Sequence, residues 1–181
     1  MNGLAPPAEI SGARLTLRRP RLEDARALFE SYTQDPEVAH FLTWQPHGSQ
    51  EETERFLTYC LDEWQTRASF PYVIELFEAI GPCGMIHLRP KPQRVEFGYV
   101  LARAHWGKGY MAEALALLVE WSLAQRDIWR ASAFCDVENT ASARVMEKAG
   151  MVFEGTLRRY SLHPNISPIP RDAHLYAKVR P

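Results

Sequence analysis

The stretch Val95-Glu-Phe-Gly-Tyr-Val-Leu-Ala-Arg-Ala-His-Trp-Gly-Lys-Gly-Tyr-Met-Ala-Glu-Ala114 passes from a strand pattern through a glycine turn into a helix pattern. Val95, Phe97, Tyr99 and Leu101 alternate with Glu96, Gly98 and Val100, the period of a strand with two different faces. From about Met111 to Gln125 the chain is apolar nearly all round, which predicts a helix buried on several sides. Between the two lies Gly107-Lys108-Gly109. Two glycines allow backbone conformations closed to other residues, so successive N–H groups can point into one concavity. The helix behind them starts with unpaired N–H groups and the positive end of its dipole. Strand, turn and helix N-terminus together suit a phosphate group; without a ligand, the same pattern is a tight turn capping a buried helix. Neither common nucleotide loop fits. G-x-x-x-x-G-K-[ST] fails at Ala102 and Gly109, and G-x-G-x-x-G fails at Ala112.

Working outward, residues 1–12 read as a flexible arm and Ala13–Arg18 as a half-buried strand. Leu22, Ala25, Leu28, Phe29 and Tyr32 predict a helix that Pro36 stops. Ser49 and Glu52 form a capping-box pattern ahead of a second helix, whose apolar face is Phe56, Leu57, Cys60, Leu61 and Trp64. Tyr72–Phe77 and Cys83–Leu88 read as strands joined by a turn at Ile80–Pro82, and Arg89–Gln93 reads as a proline-rich loop. After the central stretch come a strand at Trp129–Cys135, a helix at Thr140–Ala149 closed by Gly150, and strands at Val152–Tyr160 and Asp172–Val179. The sum is one α+β domain over residues 13–181. Its mixed, mostly antiparallel sheet has about seven strands, flanked by about four helices.

Composition narrows the function classes. The chain has 181 residues, 46% hydrophobic, with 21 basic and 22 acidic side chains for a net charge of −1. That balance argues against a nucleic-acid binder. No apolar run reaches the length of a membrane span, and the N-terminus lacks the pattern of a signal peptide. Cys60, Cys83 and Cys135 are odd in number and widely spaced, which fits a reducing cytoplasm. None of the six histidines pairs with another at metal-ligand spacing, so no metal is expected.

Trp106-Gly-Lys-Gly-Tyr-Met-Ala-Glu-Ala114 resembles the acetyl-CoA motif of the GNAT N-acetyltransferases, in the RimJ/RimL-type branch named for ribosomal-protein N-terminal acetyltransferases. A second block, Asn139-Thr-Ala-Ser-Ala-Arg-Val-Met-Glu-Lys-Ala-Gly-Met151, is similar to that branch's N-x-x-S-x-x-V-x-E-K-x-G-F signature. Leu15-Thr-Leu-Arg-Arg and Arg171-Asp-Ala-His-Leu-Tyr-Ala177 resemble its first and last strands. The resemblance spans roughly residues 13 to 178 and departs from the pattern at two places. Met111 stands where a small residue is usual beside the pyrophosphate, and Met146 where a tyrosine acid is frequent.

The resemblance implies the GNAT fold and attack of an amine on the thioester carbonyl of acetyl-CoA. Neutralising a lysine-type amine at pH 7 costs about 4–5 kcal/mol, an α-amine only about 1 kcal/mol. The leaving thiol, with a pKa of about 8.5, needs only modest acid help. Glu96 is the candidate base, through water, against the plain alternative of an exposed strand glutamate. Ser142 is the candidate acid beside the thiol, or a small polar residue at a helix start. Asn139 is assigned to the pantetheine arm and to the helix cap. Main-chain groups of Val100 and Leu101 would pair with the pantetheine and supply the oxyanion donor. Trp106, Gly107, Lys108, Gly109, Tyr110 and Met111 would hold the pyrophosphate, and Arg103 and Arg144 are candidates for the adenosine phosphate. Tyr32, Phe41, Trp44 and Trp64 either line an acceptor pocket or pack the core. The acceptor is a small amine or a protein N-terminus, and homodimers are common in the family. The alternative is an acyl-CoA-binding sensor or interaction module without turnover, which Met111 and Met146 favour and which cofactor binding without thiol release would reveal.

Overall fold

Eight segments of the described residues build one open sheet, its central strands buried on both faces: β1 Glu9–Ser11, β2 Leu15–Arg18, β3 Phe70–Leu76, β4 Pro82–Lys91, β5 Arg94–Leu101, β6 Arg130–Asp136, β7 Val152–Ser161 and β8 Arg171–Val179. The order across the sheet is β1-β2-β3-β4-β5-β6-β8-β7, antiparallel everywhere except β5 beside β6. Five α-helices flank it: α1 Ala25–Leu28, α2 Pro36–Ala39, α3 Gln50–Thr66, α4 Tyr110–Leu123 and α5 Thr140–Lys148. The structure, a computed structural model, describes residues 4–181, so the first three residues of the expected arm lie outside it.

The two faces of the sheet carry separate cores. Tyr72, Ile74, Ile86, Leu88, Val95 and Phe97 bury against Leu115, Leu118 and Val119 of α4 and Met146 of α5. Val73 and Met85 bury on the opposite face against Leu28 of α1 and Leu57 and Cys60 of α3. Each fully buried aliphatic side chain contributes about 1.5–3 kcal/mol, so α4, apolar on almost every side, is a principal anchor of the fold.

Several local expectations shift. The arm is partly a strand: Ile10 pairs with Leu17, and the Tyr72 hydroxyl donates to the Pro7 carbonyl at 2.6 Å. Pro36 does not simply stop a helix; it opens α2, with the Asp35 carboxylate accepting from the Glu37 N–H at 2.9 Å, because proline suits a first helical position. Ser49 makes no side-chain cap, and Glu52 instead accepts from the Gly48 N–H at 2.7 Å. The proline-rich loop is mostly strand: β4 runs to Lys91, and a tight turn with Gln93 at φ 61° leads into β5.

The feature that positions the site is a parting of β5 and β6. They pair only from Arg94 to Phe97 and from Arg130 to Ala133. Beyond that point β5 continues to Leu101 and β6 to Asp136 without pairing, and a wedge opens. The Ala102 N–H donates to the Cys83 carbonyl at 2.8 Å, which fixes the phase of the β4–β5 ladder. Only alternate residues bond to a given neighbour strand, so Gly98 and Val100 bond to β4 while the main-chain groups of Tyr99 and Leu101 face the wedge.

Candidate active site

The glycine turn closes one end of the wedge. Gly107 and Gly109 sit at φ 74° and 83°, the left-handed region that disfavours any side chain, and Gly109 is the N-cap of α4. No side chain caps this helix, and the amides from Gly107 to Ala112 find no acceptor among the described residues. Arg14 braces the turn from outside. Its Nη1 donates to the Lys108 carbonyl at 3.0 Å, its Nε to Glu113 at 2.7 Å, and its guanidinium lies 4.6 Å from the Tyr110 ring centre. The Trp106 indole N–H donates to the Leu101 carbonyl at 2.7 Å, tying the turn to the end of β5.

Two cavities meet at the wedge. The larger, about 680 Å³, runs from the wedge to the turn and is lined by Val100, Leu101, Trp106, Gly107, Gly109, Tyr110, Met111, Asn139, Ser142 and Arg144. The smaller, about 350 Å³, opens on the α3 side. Tyr99, Val100, Asn139 and Ser142 line both. At this junction the Tyr99 hydroxyl lies 2.8 Å from Ser142 Oγ and 3.2 Å from the Ser142 carbonyl. Burial pushes the Tyr99 pKa up, so its proton stays in place at neutral pH. Asn139 Oδ1 accepts from the Ser142 N–H at 3.0 Å, so the cap of α5 also orients Ser142. Cys135, on β6, borders the smaller cavity; burial lifts its thiol to about 11, which keeps it a packing residue rather than a nucleophile.

Other sequence candidates fall elsewhere. Glu96 lines neither cavity; its carboxylate lies 3.5 Å from Arg94, on the sheet face opposite Tyr99. Val100 offers the wedge its side chain, its main chain being bonded to β4, and Tyr99 takes its place beside Leu101. Lys108 presents its carbonyl to Arg14 and lines neither cavity. Arg103 is turned away, held by Asp35 and Glu37. Met111 and Met146 are buried in the core, so neither methionine fills the turn.

The smaller cavity is walled by rings: Tyr32, Phe41, Trp44, Phe56, Phe97 and Phe134. Trp64 is not among them; its indole donates to the Pro71 carbonyl at 2.6 Å and its ring packs on Phe70 and Tyr72. Asn165 ties the β7–β8 connection to the segment around α2, donating to the Ala39 and Trp44 carbonyls at 2.6 and 2.8 Å. His87 stacks on Phe56, and its pKa is pushed down to about 3 by burial and then by the charge of Arg89. Among the described residues no group of His, Cys, Asp and Glu could hold a metal ion, and no helix is long and apolar enough to cross a membrane. Sequence reasoning missed Tyr99, Arg14, His87 and Phe134. The alternation of β5 put Tyr99 beside Phe97, but only the packing of α5 gives its hydroxyl a partner.

Residues 14–152 match the family described as Acetyltransferase (GNAT) domain. The chain is 34% identical over 150 residues to a Bacillus licheniformis protein named Uncharacterized N-acetyltransferase p20, across 81% of this chain and 84% of that protein. It is 28% identical over 102 residues to the ribosomal-protein-serine acetyltransferase of Escherichia coli (strain K12), across 56% and 55% of the two chains. Its fold is similar to that of the microcin C7 self-immunity acetyltransferase MccE, solved in complex with acetyl-CoA and AMP. That likeness has a TM-score of 0.86 at 20% identity, over 97% of this chain and 98% of that one.

Proposed function

The chain belongs to the GNAT acetyltransferase family and is an acyltransferase that uses acetyl-CoA, and from that premise we propose that it acetylates a primary amine by direct attack in a ternary complex. The observation that carries the reading is the meeting of two cavities at Tyr99 and Ser142. In this reading the larger cavity takes coenzyme A. Its diphosphate lies on the amides of Gly107 to Ala112, and its pantetheine in the wedge beside Tyr99 and Leu101. The amine enters through the smaller cavity.

The amine nitrogen's lone pair forms a bond to the thioester carbonyl carbon, and the carbonyl oxygen takes up the negative charge. The wedge-facing N–H of Leu101 is placed to donate to that oxygen. As the carbonyl re-forms and the C–S bond breaks, Ser142 Oγ gives its proton to the thiolate and takes the proton that the nitrogen sheds, while the Tyr99 hydroxyl keeps its own proton and holds Ser142 in place. Glu96 lines neither cavity and this scheme draws on no carboxylate base, so it suits an amine that is easily neutralised. The ribosomal-protein-serine acetyltransferase it resembles makes a protein N-terminus one candidate acceptor; a small-molecule amine is the other. The unpaired outer edge of β7, with exposed Val152, Phe153 and Tyr160, supports a homodimer, and three free cysteines support the cytoplasm.

The test is thiol release from acetyl-CoA across a panel of amines, with Ser142→Ala beside the parent protein. Release that needs an amine and falls in Ser142→Ala supports the reading. Binding of acetyl-CoA with no release for any amine contradicts it.

A further inference from the structure

Only two permanently charged side chains line the smaller cavity, Glu63 and Arg89, and their states differ. The Glu63 carboxylate is satisfied: it accepts from the Tyr59 hydroxyl at 2.7 Å and from the Ser69 hydroxyl. The Arg89 guanidinium has no carboxylate within 4 Å and no hydrogen-bond acceptor among the described residues. Glu96, its direct partner across the β4–β5 ladder, is turned towards Arg94 instead. Arg89 lies over Gly98, where a Cβ would stand 2.6 Å from Nη1 and 3.3 Å from Cζ, so the missing side chain there makes its seat. Beside it are apolar rings and His87, neutral at physiological pH. Arg89 is itself exposed, so water meets its donors in the free protein; at the rim of an apolar cavity, with no acceptor among the described residues, its fork is free to take a planar anion from a ligand.

We propose that Arg89 binds a carboxylate carried by the acceptor, so that the substrate is a short amino-carboxylate with an aromatic or bulky apolar side chain. The inference rests on the acetyl-transfer reading and names its acceptor class. Gly98 stands one to three residues before the wedge-facing groups of Tyr99 and Leu101, which is about 3–10 Å along the strand. That spacing places the carboxylate within one or two residues of the amine, as in a free amino acid or a dipeptide. The rings of Phe56, Phe134 and Trp44 receive the side chain.

The test is the rate of thiol release from acetyl-CoA with matched pairs: phenylalanine against its amide, and seryl-phenylalanine against its amide. Each pair keeps its shape and differs in the charge at one end; because a free carboxylate also raises the basicity of its neighbouring amine, each rate is referred to the concentration of neutral amine. The parent protein should favour one acid over its amide by about tenfold or more, mainly through KM, the scale of a charge-assisted hydrogen bond. The pair with the larger ratio tells the amino acid from the dipeptide. In Arg89→Gln that ratio should collapse to about one, and Arg89→Lys should restore part of it. Equal use of acid and amide by the parent protein, or an unchanged ratio in Arg89→Gln, overturns the inference and leaves acetyl transfer standing. No release from any of the four compounds overturns the acceptor class, and the wider amine panel then decides whether the transfer reading falls with it.

Discussion

The two cavities that meet at Tyr99 are built from different materials. In the proposed function the cofactor side relies on main-chain amides, which one contiguous turn and the helix behind it supply. The acceptor side relies on side chains brought from α3, β4, β5, β6 and the segments around α2 and β8. A main-chain site tolerates changes of side chain but not of backbone conformation. A side-chain site behaves in the opposite way, and each substitution retunes what it accepts.

The largest effect that sharpens this contrast is expected at Gly109. A Cβ at Gly109 would meet its nearest neighbour, Arg14 Nη2, at an ordinary 3.5 Å, so the penalty of valine there begins with the backbone conformation at φ 83°. Turning the backbone out of that region swings the amides away from the diphosphate. Gly109→Val should weaken acetyl-CoA binding about a hundredfold or more in calorimetry while the far-ultraviolet circular dichroism is retained. Normal binding would break the contrast. A smaller effect is expected at the junction. Tyr99→Phe should lower kcat about tenfold with the acetyl-CoA dissociation constant unchanged, because it removes the hydroxyl that holds Ser142 rather than a binding contact. A shift in affinity without a shift in kcat would assign Tyr99 to the cofactor side.

The smallest effect concerns pH and falls on the acceptor side. His87 titrates at about 3 in the fold against 6.5 when free. Between those values the unfolded chain holds a proton that the folded one does not. The stabilisation is therefore complete above about 6.5 and is lost as pH falls towards 3. Thermal unfolding followed from pH 7 down to pH 4 should show a falling midpoint, with a shallower fall in His87→Gln. Equal slopes would remove His87 from the account.

The same contrast explains what could be read in advance. Gly107, Gly109, Asn139 and Ser142 were legible because a turn and a helix cap are local, and their residue types follow from backbone geometry. The sheet was legible in outline, since alternation reports faces. The conversion of Arg89–Lys91 into strand was not, because that depends on pairing with Arg94–Glu96 across the hairpin. Glu96 drew attention as a strand carboxylate that precedes the turn, where many GNAT enzymes look similar. The strand's period of two puts it on the α3 face with Gly98 and Val100, but its carboxylate lies by Arg94 and it lines neither cavity. Arg89 and Phe134 gave no signal of their own; only the register of β4, β5 and β6 brings them to one cavity.

The central claim is that main-chain amides of the glycine turn grip the diphosphate of the acyl carrier. A crystal structure of the protein soaked with coenzyme A tests it most directly. Diphosphate oxygens are expected within hydrogen-bonding distance of the amides between Gly107 and Ala112, with the pantetheine beside Tyr99 and Leu101. Coenzyme A bound elsewhere, with those amides facing solvent, would contradict it.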